Sequence, residues 1–187
     1  MFNLITLKDT IRIDPSNFGE PLKAAAYMEL RSKYEGLVDE ELGYIISVIG
    51  LEVNPNGRII PGDGGTHHSV VFDILTFYPQ LQEVIEGEVV EVADFGTFLR
   101  IGPVDALLHV SQLMDDFISY DERQGVLLGK ESGRTISRGD IFRVRIVAVS
   151  FPRGRSGGKI GVTARQPMLG KIDWIRNEVE EMKEAES

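Results

Sequence analysis

Phe95-Gly96-Thr97-Phe98-Leu99-Arg100-Ile101, followed closely by Ala106-Leu107-Leu108-His109-Val110, is the stretch that decides the fold. Both runs are short, apolar and bounded by turn residues, as strands are. Outward from this pair, residues 83–92, 141–149 and 159–164 have the same texture. Five short strands with glycine-rich turns predict a small closed barrel. A long polar insert, roughly residues 115–138, interrupts it. Residues 174–182 carry a helical pattern, with Ile175, Val179 and Met182 at spacings of four and three.

Upstream the texture changes. Residues 2–7 and 10–13 alternate as a strand that stops at Asp14-Pro15. Pro21 suits a first helical turn, and the alanines at 24–26 favour helix. Leu22, Ala25, Ala26 and Leu30 share one face before a stop at Gly36. Residues 44–49 and 70–78 are β-rich, and Asn54-Pro55-Asn56-Gly57 and Pro61-Gly62-Asp63-Gly64-Gly65 are turns. His67-His68 fall in a polar loop between them. A strand, a helix and then antiparallel strands predict a small α+β domain. The expected domains are 1–82 and 83–187.

A chain of 187 residues with 42% hydrophobic and 26% charged side chains suits one large or two small globular domains. The absence of cysteine excludes disulfides, thiolate metal sites and cysteine nucleophiles, and fits a reducing compartment. No apolar run reaches the ~18 residues of a membrane span. Met1-Phe2-Asn3-Leu4 lacks the basic start and apolar core of a signal peptide, so a cytoplasmic protein is expected.

The net charge of −9 at first argues against nucleic acid. Its distribution argues otherwise. Residues 123–171 hold 11 basic and 2 acidic side chains, while residues 83–122 hold 1 basic and 10 acidic. At physiological salt the Debye length is about 8 Å, so distant carboxylates do not cancel a local cationic surface. These cations either form a face for phosphates or pair with the acidic segment before them.

No catalytic constellation stands out. His67 and His68 are adjacent and His109 is isolated, which is not a chelating pattern. Residues 153–159 end in Gly158-Lys159, but Ile160 stands where a phosphate loop needs Ser or Thr, and Arg153 where its first glycine belongs. The segment reads as a basic hairpin loop. Asp115-Asp116 has no nucleophile and no oxyanion donors beside it. No metal or cofactor is expected.

The best constellation is Phe95, Phe98 and His109 with the cations Arg143, Arg145, Arg153, Arg155 and Lys159. Strict alternation puts Phe95 and Phe98 on opposite faces, and a bulge at Gly96 would bring them onto one. Exposed, the rings form a platform on which unstacked bases gain roughly 1–3 kcal/mol each. Otherwise both pack into the core. Arg143 and Arg145 share one strand face, with Val144 and Ile146 turned inward.

Gly87-x-Val89, Phe95-Gly96-x-Phe98, Leu107-Leu108-His109-Val110-Ser111, Gly139-Asp140 and Lys159-Ile160-Gly161-Val162-Thr163 resemble the OB-fold RNA-binding module of ribosomal protein S-one. That resemblance turns Phe95, Phe98, His109 and Lys159 toward RNA. Ile59-Ile60-Pro61-Gly62-Asp63-Gly64-Gly65, Val71-Phe72-Asp73, His109-Val110-Ser111-Gln112-Leu113-Met114-Asp115-Asp116, Gly129-Lys130-Glu131-Ser132 and Arg165-Gln166-Pro167-Met168-Leu169-Gly170-Lys171 extend it. Over essentially the whole chain the sequence resembles the family of E-prime subunits of archaeal RNA polymerases, counterparts of the seventh-largest subunit of eukaryotic RNA polymerase II.

The resemblance implies an α+β protein: a truncated ribonucleoprotein-like tip, then a five-stranded antiparallel OB-fold barrel with a C-terminal helix. It implies a heterodimer with the polymerase's F subunit, a tip docked on the polymerase core near the clamp, and a barrel facing emerging single-stranded RNA. Such a protein aids promoter opening and processivity and has no active site of its own. Gly62, Asp63, Gly64 and Gly65 are then expected on the core-docking surface. The competing expectation is a free-standing RNA-binding factor in translation or RNA decay.

Overall fold

The computed structural model describes residues 1–151 and 158–185. Their contacts form two compact units, Met1–Tyr78 with Phe151, and Pro79–Ser150 with the residues from Gly158 onward.

In the first unit β1 (Phe2–Ile13) leads to helix α1 (Leu22–Tyr34), then β2 (Val38–Asp39), β3 (Gly43–Val53), β4 (Arg58–Ile59) and β5 (Thr66–Phe77). The antiparallel sheet has the order β1-β5-β3-β2, with β4 also on β5. The two-residue period sends Ile11, Ile13, Val70, Phe72 and Ile74 to one face. There they are buried together with Ala25, Ala26 and Leu30 of α1. The helix starts after Pro21. It ends where Gly36, at φ +76°, turns the chain out of the helix. Glu35 then reaches back to accept the Val48 N–H at 3.1 Å, beside a register shift in β3. His67 and His68 stand in β5, not in a loop, because β1 extends the pairing to Ile13↔Thr66.

The second unit contains β6 (Val84–Ala93), β7 (Gly96–Arg100), β8 (Asp105–His109), β9 (Ile118–Asp121), β10 (Val126–Gly129), β11 (Thr135–Ile136), β12 (Ile141–Ser150), β13 (Lys159–Thr163), β14 (Gly170–Lys171) and helix α2 (Ile172–Ala185). β6, β7, β8, β13 and β12 pair in a closed ring. Four of these pairings are antiparallel and the β8–β13 pairing is parallel. A ring of five strands cannot alternate direction all the way round, so one parallel pairing is unavoidable. Val89, Leu99, Ala106, Leu108, Val144, Ile146, Ile160 and Val162 fill the interior.

The polar insert is not a loop. β9, β10 and β11 form a three-stranded antiparallel sheet around the fully buried Leu127 and Ile136. Asp116 ties its turn by accepting the Ser132 Oγ–H at 2.6 Å and the Ser132 and Glu131 N–H groups at 3.0 and 3.1 Å. These bonds, Ser132's first, lower the Asp116 carboxyl to about 2. Glycine at 129 leaves room for this carboxylate, since a Cβ would lie 2.3 Å from Asp116 Oδ2 and would displace it. Helix α2 buries Ile175 and sets the Trp174 ring edge-on to Phe142 at 5.7 Å. Met182, expected on the same face, is 63% exposed.

Candidate nucleic-acid interface

The β6–β7 hairpin turns on Asp94-Phe95, closed by the pair Ala93↔Gly96. Phe95 therefore stands in the turn, where strand alternation does not apply, and no bulge occurs at Gly96. The register shift lies in β6, between Val89 and Glu91. Gly96 serves another purpose. Its φ is +152°, and a Cβ would meet the Leu108 carbonyl oxygen at 2.3 Å. Glycine lets β8 pass close beneath the turn, and the Val110 N–H donates to Phe95 O at 2.9 Å. The Phe95 and Phe98 rings meet edge to face, 6.0 Å apart at 85°. Phe95 is 46% exposed and Phe98 half-buried, so neither ring belongs to the barrel core.

His109 is the register partner of Gly96 and is exposed beside the rings. Its side chain caps the short 3₁₀ turn Val110–Gln112. Nδ1 accepts the Ser111 N–H at 3.2 Å and lies 2.9 Å from Ser111 Oγ. With Nδ1 committed as acceptor, the neutral ring carries its proton on Nε2 and offers a donor there. This role for Ser111 was missed; its position two residues after the histidine is the signal for it.

The structure brings Phe95, Phe98 and His109 together and spreads the cations. Lys159 is exposed at the start of β13, which runs parallel to β8 with Gly161↔Leu107. It stands level with Asp105, about 13 Å along the strands from the histidine. Arg143 and Arg145 lie on β12, separated from β8 by β13. Val144 and Ile146 between and beyond them point inward as expected. Arg143 is paired with Glu86, its register partner, at 2.9 Å. The Nε of Arg145 is buried without a hydrogen-bond partner among the described residues. Arg153 and Arg155 lie outside the described residues.

Charge around the rings is one-sided. Glu91, the register partner of Phe98, and Asp94 in the turn are both exposed on the β6 side. On the far side of His109 stands Arg165, not singled out from the sequence. It donates to Ser111 O at 3.3 Å and pairs with Asp115 at 2.5 Å.

In the first unit the glycine-rich loop is pinned by its one acid. Asp63 accepts from Arg12 Nη2 at 2.6 Å and Nε at 2.9 Å, and from the Gly65 N–H at 3.0 Å, with His67 Nε2 at 2.9 Å. The Arg12 bonds, then the Gly65 N–H and His67, hold its carboxyl far below the usual carboxylate range. Gly64 is exposed, and a Cβ there would meet only Pro15 at 3.5 Å. Gly65 is buried, and a Cβ would lie 2.8 Å from Ile13 O, so a side chain can leave the backbone at Gly64 without a close contact but not at Gly65. Ile59 and Ile60, just before the loop, are 75% and 50% exposed. Among the described residues no three His, Asp or Glu side chains gather as a metal site, and no helix is long and apolar enough to cross a membrane.

A closed five-stranded barrel with an aromatic pair at its surface is of the OB-fold kind, a class whose barrel face binds oligonucleotides. Residues 78–159 match the family model of the S1 RNA binding domain. Residues 8–64 match the SHS2 domain found in the N terminus of Rpb7p/Rpc25p/MJ0397. Subunit Rpo7 of the DNA-directed RNA polymerase of Saccharolobus shibatae is 39% identical over 175 residues, covering 94% of this chain and 97% of that protein. Rpo7 of Sulfolobus acidocaldarius is 39% identical over 179 residues, covering 96% and 97%. RNA polymerase III subunit RPC8 of Bos taurus is 26% identical over 176 residues, covering 89% and 86%. The chain belongs to the Rpo7 family of DNA-directed RNA polymerase subunits.

Proposed function

We propose that this protein is the non-catalytic stalk component of its polymerase. It pairs with the polymerase's F subunit, docks on the core near the clamp through its first unit, and holds emerging single-stranded RNA on its barrel. In the cytoplasm it thereby supports promoter opening and processive transcription, while nucleotide addition occurs in other subunits. The observation that carries the RNA role is the meeting of Phe95, Phe98 and His109 on the barrel surface. Two rings offer faces for bases, and the imidazole Nε2–H offers a donor to a base or phosphate acceptor. Lys159 lies further along the same barrel surface. For core docking, the support is the Asp63-pinned loop with Gly64, Ile59 and Ile60 at the surface.

Titration of labelled single-stranded RNA into the full chain tests the RNA role. Phe95→Ala with Phe98→Ala should weaken binding at least tenfold while thermal unfolding stays that of a folded barrel. Unchanged affinity in a folded double variant would refute it. Native co-purification tests the assembly. The polymerase large subunits and the F subunit should accompany the tagged chain, and Gly64→Trp should release the large subunits while the chain stays folded. Ribosomal or exonuclease components in their place would favour the free-standing factor.

A further inference from the structure

Beyond the aromatic platform, a groove of about 310 Å³ opens between residues 164–170 and α2. Arg165, Asp115, Met168, Arg134, Glu178 and Trp174 line it. We infer that this groove is a second RNA subsite, taking the nucleotide next along a single strand that leaves the Phe95–Phe98–His109 platform, with its phosphate on Arg165. The inference rests on the RNA role proposed above and adds a path to it.

Three observations support the path. One groove residue is tied to the platform by hydrogen bonds: Arg165 donates to Ser111 O, and the Ser111 N–H donates to His109 Nδ1. The opposite exit suits a polyanion less, because Glu91 and Asp94 stand exposed on the β6 side of the rings, whereas the groove's Asp115 and Glu178 are offset by Arg165 and Arg134. The groove's cations are exchangeable. Among the described residues Arg165 has its ion pair with Asp115, whose side chain is 92% exposed, and Arg134 pairs with a half-exposed Glu178 at 2.9 Å. Pairs this exposed are worth little, so a phosphate can replace the carboxylate at Arg165. At the groove, Met168 holds φ +63° in a turn closed by the Leu169 N–H to Gln166 O at 3.1 Å. A side-chain-bearing residue seldom adopts that conformation, and the thioether there gives a base an apolar surface to lie against.

Trp174 is the chain's one tryptophan, and it lines the groove, so intrinsic fluorescence reports on occupancy. Unlabelled single-stranded RNA should change Trp174 emission with the same midpoint as the anisotropy of labelled RNA. Arg165→Gln should weaken binding about tenfold, the scale of one charge-assisted contact. It should also reduce the slope of log affinity against log salt by about 0.7. Asp115→Asn frees Arg165 without touching its bond to Ser111, and should tighten binding about threefold. Saturating RNA with unchanged Trp174 emission would overturn the inference, as would wild-type affinity and salt slope in both variants. Loss of affinity in Arg165→Gln with none in Phe95→Ala/Phe98→Ala would sustain the groove and refute the platform. Absence of any RNA binding would refute both.

Discussion

At Asp63 the first unit folds a charged side chain back into its own loop; at Phe95 the second unit turns an apolar one out of its hairpin. Both turns depend on glycine, for different reasons. Around Asp63, Gly65 leaves room for Arg12 among the four donors that converge on one carboxylate, which fixes the loop's shape and leaves Gly64 as a bare surface. At Gly96 the missing side chain lets β8 approach within contact, and this packing fixes where Phe95 sits. The lesson is that a rigid turn can present either shape or side chains. The proposed division of labour follows that difference: the loop for protein docking, the hairpin for RNA.

Glycine substitution breaks the comparison most severely. Gly96→Ala should destabilise the barrel by about 3 kcal/mol or more, because a backbone oxygen cannot move aside as a side-chain tip can. Gly64→Ala should leave stability within about 0.5 kcal/mol. Chemical denaturation of the two variants measures the contrast. Next in size is the core beneath the loop-bearing sheet, where Leu30→Ala should cost about 2–5 kcal/mol in the same assay.

Titration sharpens the comparison more gently. Asp63 has a depressed folded-state pKa. Its bonds therefore add stability above the unfolded value near pH 4, which is lost as pH falls through the folded value. Asp63→Asn should lower the urea midpoint at neutral pH and converge with wild type in strong acid. Asp116 behaves alike, with its share lost between about pH 4 and its folded value of about 2. The smallest effect belongs to Arg143→Gln. Its ion pair with Glu86 is partly exposed, and RNA affinity should change less than about twofold. Lys159→Gln should change it more.

The barrel strands, α1 and α2 were legible because each rests on local alternation, helical spacing or turn chemistry. The insert was not, because its sheet is built from strands of two to four residues around only two fully buried side chains, Leu127 and Ile136. The start of β5 at Thr66 was hidden as well, since its pairing comes from β1 and not from its own polar residues. At the site, the types Phe95, Phe98 and His109 were readable but their geometry was not. The sequence left open a bulge at Gly96 or burial of both rings in the core; a two-residue turn at Asp94-Phe95 occurs instead. Run-length charge also overstated the cationic face. Residues 123–171 are basic along the chain, yet Arg143 meets Glu86 across a sheet and Arg134 meets Glu178 on α2. Arg165 gave no sequence sign of its place, because its link to Ser111 joins residues 54 apart.

The most direct test of the division of labour is photo-crosslinking in the assembled polymerase. A transcript carrying a photoreactive nucleotide is extended until it emerges, and crosslinked peptides of this protein are mapped by mass spectrometry. The account expects crosslinks at Phe95, Phe98 and His109 and none at residues 61–65. Crosslinks confined to the first unit, or falling on the barrel only away from those three residues, would contradict it.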